Sequence, residues 1–306
     1  MENLKIKEIK PLWVTGFSDG ESSFSVSISR NTLYKTGFTF IPAFSIELKD
    51  KDLDLLYKIQ TFFKGVGKIH KIKSKGHVIY TVSSVNELKE VIIPHFLNYP
   101  LLTVKRISFL LFKEIVELMY NKNHLSLDGA QYIINIIVSM NRGRTKKFLE
   151  NFPGVVPVIL PKVNPLYIND ISTDWFVGFT DAEGCFFINI RLNRKKIGYW
   201  ASAGFSLVQH NRDILLFKLL KEFLGGGSII EERNKNVVRF RAEKLAFMLE
   251  VIIPLFSKNP LQSSKVKDYL DFCSACQLIK GKLHLTEDGV IKIKNLKNNM
   301  NSRRNY

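Results

Sequence analysis

Two short segments carry small residues at a spacing that puts them on one face of a helix. Gly16 and Gly20 lie four positions apart, and Gly178 and Ala182 hold the same places in a matching segment. Residues at positions i and i+4 share a helix face, whereas two glycines in one short helix cost it stability. A close contact between two helix backbones would explain the glycines, so we expect the two helices to pack together.

A glutamate stands just beyond each small face, Glu21 in the first segment and Glu183 in the second. If the helices pack side by side, both carboxylates reach C-terminal helix ends that already carry partial negative charge. A cation would relieve this repulsion, and Mg²⁺ binds carboxylate, carbonyl and water oxygens. The alternative is that each glutamate is only exposed at the start of a loop, which explains one residue better than a matched pair. Asp19 and Asp181 repeat as well, and we expect them to form local hydrogen bonds where the helices end.

The sequence contains one domain twice. WVTGFSDGESSF, which begins at Trp13, returns as WFVGFTDAEGCF from Trp175. Three later blocks return in the same order: FSIELKDKD as FSLVQHNRD, VIIPHFLNYPLLTVK as VIIPLFSKNPLQSSK, and HLSLDG as HLTEDG. The separation stays between 160 and 162 positions, which is far too long for a solenoid repeat and indicates two folded units.

The predicted domains are residues 1–150 and 171–306, joined by an extended linker over 151–170. Four prolines in the linker argue against a helix or a central strand there. They are Pro153, Pro157, Pro161 and Pro165.

Alternating apolar and polar residues predict strands within each copy. Phe24, Val26 and Ile28 alternate with serines, which is typical of a half-buried strand. Helical periodicity and alternation together give the order α-β-β-α-β-β-α, followed by further helices. The predicted fold class is α+β, with two pseudo-symmetric αββαββα domains that each cover one face of an antiparallel sheet with helices.

The other face of each sheet is expected to be polar and uncovered. In the first copy it offers Ser25, Ser27, Ser29, Asn31, Thr39, Ser45 and Glu47. In the second it offers Asn189, Arg191, Asn193, Lys195, Lys196, Ser202 and Ser206. Such a face is either simply solvated or lies in the major groove of DNA, which admits a two-stranded ribbon.

Net charge favours a polyanionic partner. The chain of 306 residues has 45 Lys and Arg against 28 Asp and Glu, a net charge of +17. Residues 1–153 contribute +8 and residues 154–306 contribute +9, so both copies are expected to meet the same partner.

Other composition features narrow the class of protein. Three cysteines cannot build a disulfide framework, and Cys273 and Cys276 lie in a helical run where packing explains them better than zinc does. No apolar run is long enough for a membrane span. The N-terminus has neither a signal-peptide core nor a transit pattern, and abundant Lys, Asn, Ile and Phe fit an AT-rich organelle genome. We therefore expect a protein that is encoded in the organelle where it acts. The mitochondrion is the preferred organelle, and the chloroplast is the alternative.

The segments WVTGFSDGE and WFVGFTDAEG resemble the two motifs of a monomeric LAGLIDADG homing endonuclease, and the resemblance covers essentially the whole chain. It implies motif helices at the domain interface, two saddle-shaped sheets on double-stranded DNA, and divalent ions at the motif acids. Mg²⁺ is the expected cofactor, with Mn²⁺ as a substitute and Ca²⁺ supporting binding without cleavage. Ser22 stands where the first motif usually ends in glycine.

The resemblance assigns roles to individual residues. The metal-binding acids fall on Glu21 and Glu183, and the supplementary carbonyl ligands on Gly20 and Ala182. The active-site glutamine falls on Gln209, where the first copy has Leu48, so the two half-sites should be chemically unequal. The active-site lysines fall on Lys105 and Lys265. To the two faces described above, the DNA-binding set adds Lys68, His70, Thr81, Phe187, Trp200, Arg239 and Arg241.

These features predict a site-specific, metal-dependent double-strand DNA endonuclease with a long asymmetric target. Two alternatives stay open: an RNA maturase that binds its host intron, and a catalytically inactive DNA-binding protein. Both motif acids and both lysines are present, which favours the nuclease. His210 adjoins the site, but an ordinary surface or core histidine explains it better.

Overall fold

A computed structural model describes most of the chain, and all structural statements below concern these residues. They are residues 9–140, 150, 152, 154–164, 166–192 and 199–304, without the side chains of residues 73 and 233.

The first repeat has the element order that the sequence predicts. In chain order its elements are α1 (Pro11–Glu21), β1 (Ser22–Arg30), β2 (Phe38–Lys49), α2 (Leu53–Phe62), β3 (Lys68–Ile72), β4 (His77–Val82), α3 (Val85–Glu87), a π-helical turn (Leu88–Ile92), α4 (Ile93–Asn98), α5 (Lys105–Tyr120) and α6 (Leu127–Ser139).

The second repeat follows the same plan. Its elements are α7 (Thr173–Glu183), β5 (Gly184–Leu192), β6 (Tyr199–His210), α8 (Ile214–Leu224), β7 (Ser228–Glu232), β8 (Val237–Ala242), α9 (Leu245–Phe247), a π-helical turn (Met248–Ile252), α10 (Ile253–Lys258), α11 (Lys265–Lys280) and α12 (Glu287–Asn298). Among these described helices, none combines the length and apolar character that a membrane span needs.

Each repeat forms a four-stranded antiparallel sheet, with strand orders β1-β2-β4-β3 and β5-β6-β8-β7. Along β1, Phe24 and Val26 are buried, whereas Ser23, Ser25 and Ser27 between and beside them are more exposed. Phe24 packs against Phe96, Phe109 and Phe112 of the helices, with ring centroids 5.3–5.4 Å apart. The predicted α+β class and one-sided helical cover are confirmed.

The motif helices α1 and α7 pack backbone to backbone. A Cβ built on Gly16 would lie 2.0 Å from the carbonyl oxygen of Trp175, and a Cβ on Gly178 would lie 2.0 Å from that of Trp13. Only glycine permits this approach, because any other side chain would overlap the facing carbonyl. The helix contact that the spacing of small residues predicts is therefore confirmed.

The role expected for the motif aspartates is wrong. Asp19 accepts a hydrogen bond from the indole N–H of Trp175 at 2.8 Å, and Asp181 accepts one from that of Trp13 at 2.9 Å. Both aspartates are buried, and these bonds satisfy two indole donors that would otherwise be unpaired in the interior. Each helix thus gives a donor to the other and takes one from it.

The chain divides into two compact units. One comprises Met1–Pro11 and Glu21–Pro165, and the other comprises Leu12–Gly20 and Leu166–Tyr306. Nearly all of α1 thus groups with the second repeat. In the first unit, residues 154–164 form neither helix nor strand, and the Val158 amide donates to the Ser139 hydroxyl on α6 at 2.9 Å. The domain and linker boundaries given above stay predictions.

Candidate functional site

Three polar side chains from three elements meet at the C-terminal end of α7. Glu183 is the last residue of that helix and is half-buried. Gln209, near the end of β6, donates through Nε2 to Glu183 Oε1 at 3.4 Å. Lys265, the first residue of α11, donates through Nζ to the carbonyl oxygens of Thr180 and Ala182, each at 3.0 Å. A cationic group therefore neutralises the negative end of the helix dipole.

Asp181 fixes the segment that carries Lys265. Its carboxylate accepts hydrogen bonds from the Gln262 amide at 2.8 Å, the Ser263 amide at 3.0 Å and the Ser263 hydroxyl at 2.6 Å, in addition to the Trp13 bond. Burial raises the pKa of Asp181, while the Ser263 hydroxyl and both amides act in the opposite direction. The carboxylate thus joins α1, α7 and the turn before α11.

Gln262 and Ser263 were not among the predicted site residues. The repeated PLxxxK block was the available signal, because it holds Lys105 and Lys265 at the same offset from the proline. The offset alone does not show which acceptor binds the turn.

The oxygen atoms around Glu183 suit a hard divalent cation. A Cβ on Gly20 would lie 2.3 Å from Ala182 Cβ and 3.4 Å from Glu183 Oε1, so glycine lets the α1 backbone approach the carboxylate. The Ala182 carbonyl accepts from Lys265 and keeps a second lone pair. The described residues contain no group of three or more His, Cys, Asp or Glu side chains placed to hold a metal. Carbonyls and water would have to complete a site here, which is the pattern that Mg²⁺ prefers.

The first repeat places its predicted site residues at corresponding points. Glu21 ends α1 and is exposed, and Lys105 begins α5. The Lys105 amide donates to the Thr103 hydroxyl at 3.2 Å, as the Lys265 amide donates to that of Ser263 at 3.2 Å. Leu48 occupies the place of Gln209, so the first repeat has no amide there.

The outer face of the first sheet carries a polar row that crosses all four strands. Ser23, Ser45, Thr81 and Lys68 are neighbours in register. Five further predicted DNA-facing residues lie on this face or at its edge, namely Ser25, Ser27, Ser29, Thr39 and His70. Two others have partners: Asn31 donates to the Thr39 hydroxyl at 3.2 Å, and Glu47 pairs with His77 at 2.8 Å.

The outer face of the second sheet is built from arginines and aromatic rings. The Arg241 guanidinium lies 4.7 Å from the Phe187 ring centroid, and that of Arg191 lies 5.8 Å from the ring of Trp200. Arg239 pairs with Glu232 at 3.1 Å. The two sheets therefore present different chemistry, as the sequence predicts.

Two details of the predicted second face change. Ser202 and Ser206 are only 9% and 4% exposed, so their expected exposure is wrong. In register, Ser206 is paired with Cys185 and Arg241, and Ser202 is paired with Asn189. Asn193, Lys195 and Lys196 lie outside the described residues.

Cys273 and Cys276 lie on α11, where Cys276 is fully buried.

A family model of the LAGLIDADG endonucleases matches residues 14–116 and 176–276. The chain belongs to this family. Both matches begin inside a motif helix and end in α5 or α11, so each LAGLIDADG repeat contains one sheet, one motif acid and one candidate lysine.

Comparisons with known proteins of similar sequence and structure support this family assignment. "Probable intron-encoded endonuclease 2" of Neurospora crassa is 38% identical over 300 residues, which is 95% of this chain and 65% of that protein. The structure of I-SmaMI "bound to uncleaved DNA target in the presence of Calcium ions" matches with 33% identity and a TM-score of 0.91, covering 95% of this chain and 98% of that one. I-SmaMI "bound to cleaved DNA" matches with 33% identity and a TM-score of 0.92, covering 97% and 98%.

The chain spans less than two thirds of the length of two curated relatives that it matches. It covers 65% of the relative described above and 52% of "Probable intron-encoded endonuclease 3" of the same fungus, to which it is 35% identical over 92% of its own length.

Proposed function

We propose that this protein is a site-specific endonuclease that cuts both strands of a long, asymmetric DNA target with a divalent metal ion. The observation that carries the proposal is the meeting of Glu183, Gln209 and Lys265 at the end of α7. Glu21 and Lys105 stand at the equivalent positions of the first repeat. One acid and one lysine in each repeat suit one cut in each strand.

The chain's own groups bind and orient the reactants. Glu21 and Glu183, with the carbonyls of Gly20 and Ala182, would hold Mg²⁺. When bound, the ion supplies Lewis acidity and lowers the pKa of water. Gln209 would orient the attacking water through its amide. Lys105 and Lys265 would offset the negative charge that develops on the phosphate in the transition state.

The sheets supply affinity and recognition in this proposal. Net charge of +17 attracts the duplex, and outward-facing side chains read base edges in the major groove. Because the two faces differ, a monomer should recognise two unlike half-sites. Relatives described as intron-encoded and the AT-rich composition support a mitochondrial location. The intron RNA partner gains no support from the relatives described above.

The decisive experiment compares Glu21→Gln and Glu183→Gln with the wild type. Selection from a randomised duplex library first gives the target. Each variant should lose double-strand cleavage with Mg²⁺ or Mn²⁺ yet bind the duplex in Ca²⁺, because glutamine keeps the shape and removes the charge that holds the ion. Full cleavage by either variant would overturn the metal assignment. Selective binding of single-stranded RNA in preference to the duplex would favour the maturase alternative.

A further inference from the structure

An acidic side chain stands on the proposed DNA-facing surface of the second sheet. Glu243, just after β8, accepts from Arg241 Nε through Oε2 and from Arg241 Nη2 through Oε1, both at 3.0 Å. It also accepts from Asn189 Nδ2 at 3.0 Å. Near phosphates an extra carboxylate repels the duplex, so its presence on this surface needs another explanation.

Arg241 is held by stacking as well as by the carboxylate. Its guanidinium lies 4.7 Å from the Phe187 ring centroid. The ring lies against Gly204, where a Cβ would be 2.4 Å from Phe187 Cζ. Any larger residue at 204 would lift the ring, so glycine makes the platform on which Arg241 rests.

The bonds to Glu243 leave defined donors and acceptors for a ligand. Arg241 keeps both Nη1 hydrogens and the second Nη2 hydrogen, a fork that matches the O6 and N7 acceptors of guanine. Asn189 keeps its Oδ1 acceptor and one Nδ2 hydrogen, which suit adenine. Hydrogen bonding to Arg241 lowers the pKa of Glu243, so the carboxylate stays ionised.

The first repeat has no such cluster. The positions of Phe187, Asn189, Gly204, Arg241 and Glu243 are held there by Ser25, Ser27, Ala43, Thr81 and Ser83. These short side chains include no guanidinium, no ring and no carboxylate. At these described positions, the second sheet therefore carries a long donor, Arg241, whose orientation is fixed by a ring and a carboxylate.

We propose that Glu243 is a positioning residue that orients Arg241 and Asn189 for base readout, so that recognition is stricter in the half-site read by the second sheet. This inference rests on the proposed function. The Glu243–Arg241 pair carries no net charge and adds little attraction for phosphate. Glu243 contributes by holding Arg241 and Asn189 in place, because side chains that are already ordered lose less conformational freedom when they bind the bases.

The test is a specificity profile of Glu243→Gln. The duplex selected by the wild-type protein is changed at one base pair at a time, and binding is measured in Ca²⁺. Discrimination should weaken roughly tenfold at one or two adjacent base pairs and stay unchanged in the other half-site. Affinity for the selected duplex should be equal or higher. Arg241→Lys keeps the charge without the fork and should weaken the same positions.

Glu232→Gln is the matched control, because Glu232 pairs with Arg239 and Lys235 in the same sheet. It should leave the Glu243-dependent positions unchanged. An unaltered profile for Glu243→Gln, or a loss spread evenly over both half-sites, would overturn the inference while leaving the proposed function intact. A wild-type protein that selects no duplex would instead refute the proposed function.

Discussion

At the residue scale, the two half-sites differ most clearly at the position of Gln209. Its amide contacts Glu183, and the first repeat has Leu48 at the same place. Gln209→Leu makes the second repeat like the first. Since the proposed role of Gln209 is to orient the attacking water, cleavage of one strand should slow by roughly 10²-fold, and nicked duplex should accumulate.

Strand-specific labels in a cleavage assay would distinguish the two cuts. Leu48→Gln is the reciprocal control and should leave the cut that depends on Gln209 unchanged. Equal slowing on both strands by Gln209→Leu would contradict a role restricted to one half-site.

A second residue-scale feature is a buried histidine in the first repeat. His95 packs edge-on against Phe62 and Phe63, with ring centroids 5.3 Å apart in each pair. Burial lowers the pKa of His95 to about 4. As the pH falls below about 6.5, His95 gains a proton in the unfolded chain but stays neutral in the folded chain. The free energy of unfolding is therefore highest above that pH and decreases as the pH drops toward 4. The loss approaches about 3 kcal/mol.

Leu255 holds the equivalent place in the second repeat, which makes His95→Leu the natural comparison. Urea unfolding of both proteins from pH 7 to 4.5 should show a smaller loss of stability for the variant. Parallel curves would mean that His95 titrates alike in the folded and unfolded chains.

The sequence predicted site residues by type and position but not all of their partners. Two glutamates after two small faces were enough to indicate a cation site. Asp181 was misassigned because its partners, Trp13, Gln262 and Ser263, are distant in sequence. A pattern within one segment cannot show which remote donors a buried carboxylate satisfies.

At the element scale, the contact between α1 and α7 depends on two glycines. Gly16→Ala or Gly178→Ala places a methyl group 2.0 Å from a facing carbonyl oxygen, so the helices must separate. We expect each variant to lose roughly 3 kcal/mol or more in the free energy of unfolding, measured by urea denaturation.

Gly281 provides the control for these variants. It follows α11 with φ of −73°, and a Cβ there would meet no atom closer than 3.5 Å. Gly281→Ala should be neutral or stabilise the protein by about 0.5 kcal/mol. If Gly16→Ala were equally harmless, the close helix contact would be wrong.

Element types were predicted better than their internal geometry. The alternation of apolar and polar residues predicted the strands, because one face of the sheet is buried in each repeat. The helical segment after β4 is divided by a π-helical turn at Leu88–Ile92, which helical periodicity does not predict. Pro94 follows the turn at the start of α4 and has no N–H to donate to the preceding turn. The sequence shows the proline. Whether the turn before it widens depends on which hydrogen-bond donors reach the neighbouring carbonyl oxygens, and the sequence does not show that.

At the scale of the whole molecule, we expect positive charge to make the largest contribution to the affinity for DNA. Both repeats are similarly basic and both sheets offer outward polar faces. If six to ten phosphates are contacted, affinity for the selected duplex should fall roughly 10³- to 10⁵-fold between 50 and 200 mM salt. Fluorescence anisotropy in Ca²⁺ would measure the slope, and a nearly flat slope would contradict DNA binding through these faces.

The duplication made the overall architecture predictable, since each repeat supports the assignment of the other. The packing on the outer faces was less accessible. Ser202 and Ser206 alternate as exposed strand residues do, yet both are buried. The exposure of a strand residue depends on its cross-strand neighbours, and these follow only from the register.

The crossing of α1 and α7 uses glycines, backbone carbonyls and two reciprocal Trp–Asp bonds. Any related chain that keeps tryptophan, glycine and aspartate at these places presents the same surface. We therefore expect that genes of this kind can exchange halves by recombination and keep this helix contact. In the proposed function each half brings its own recognition sheet, so one such exchange would create a new target site where point substitution would need many steps.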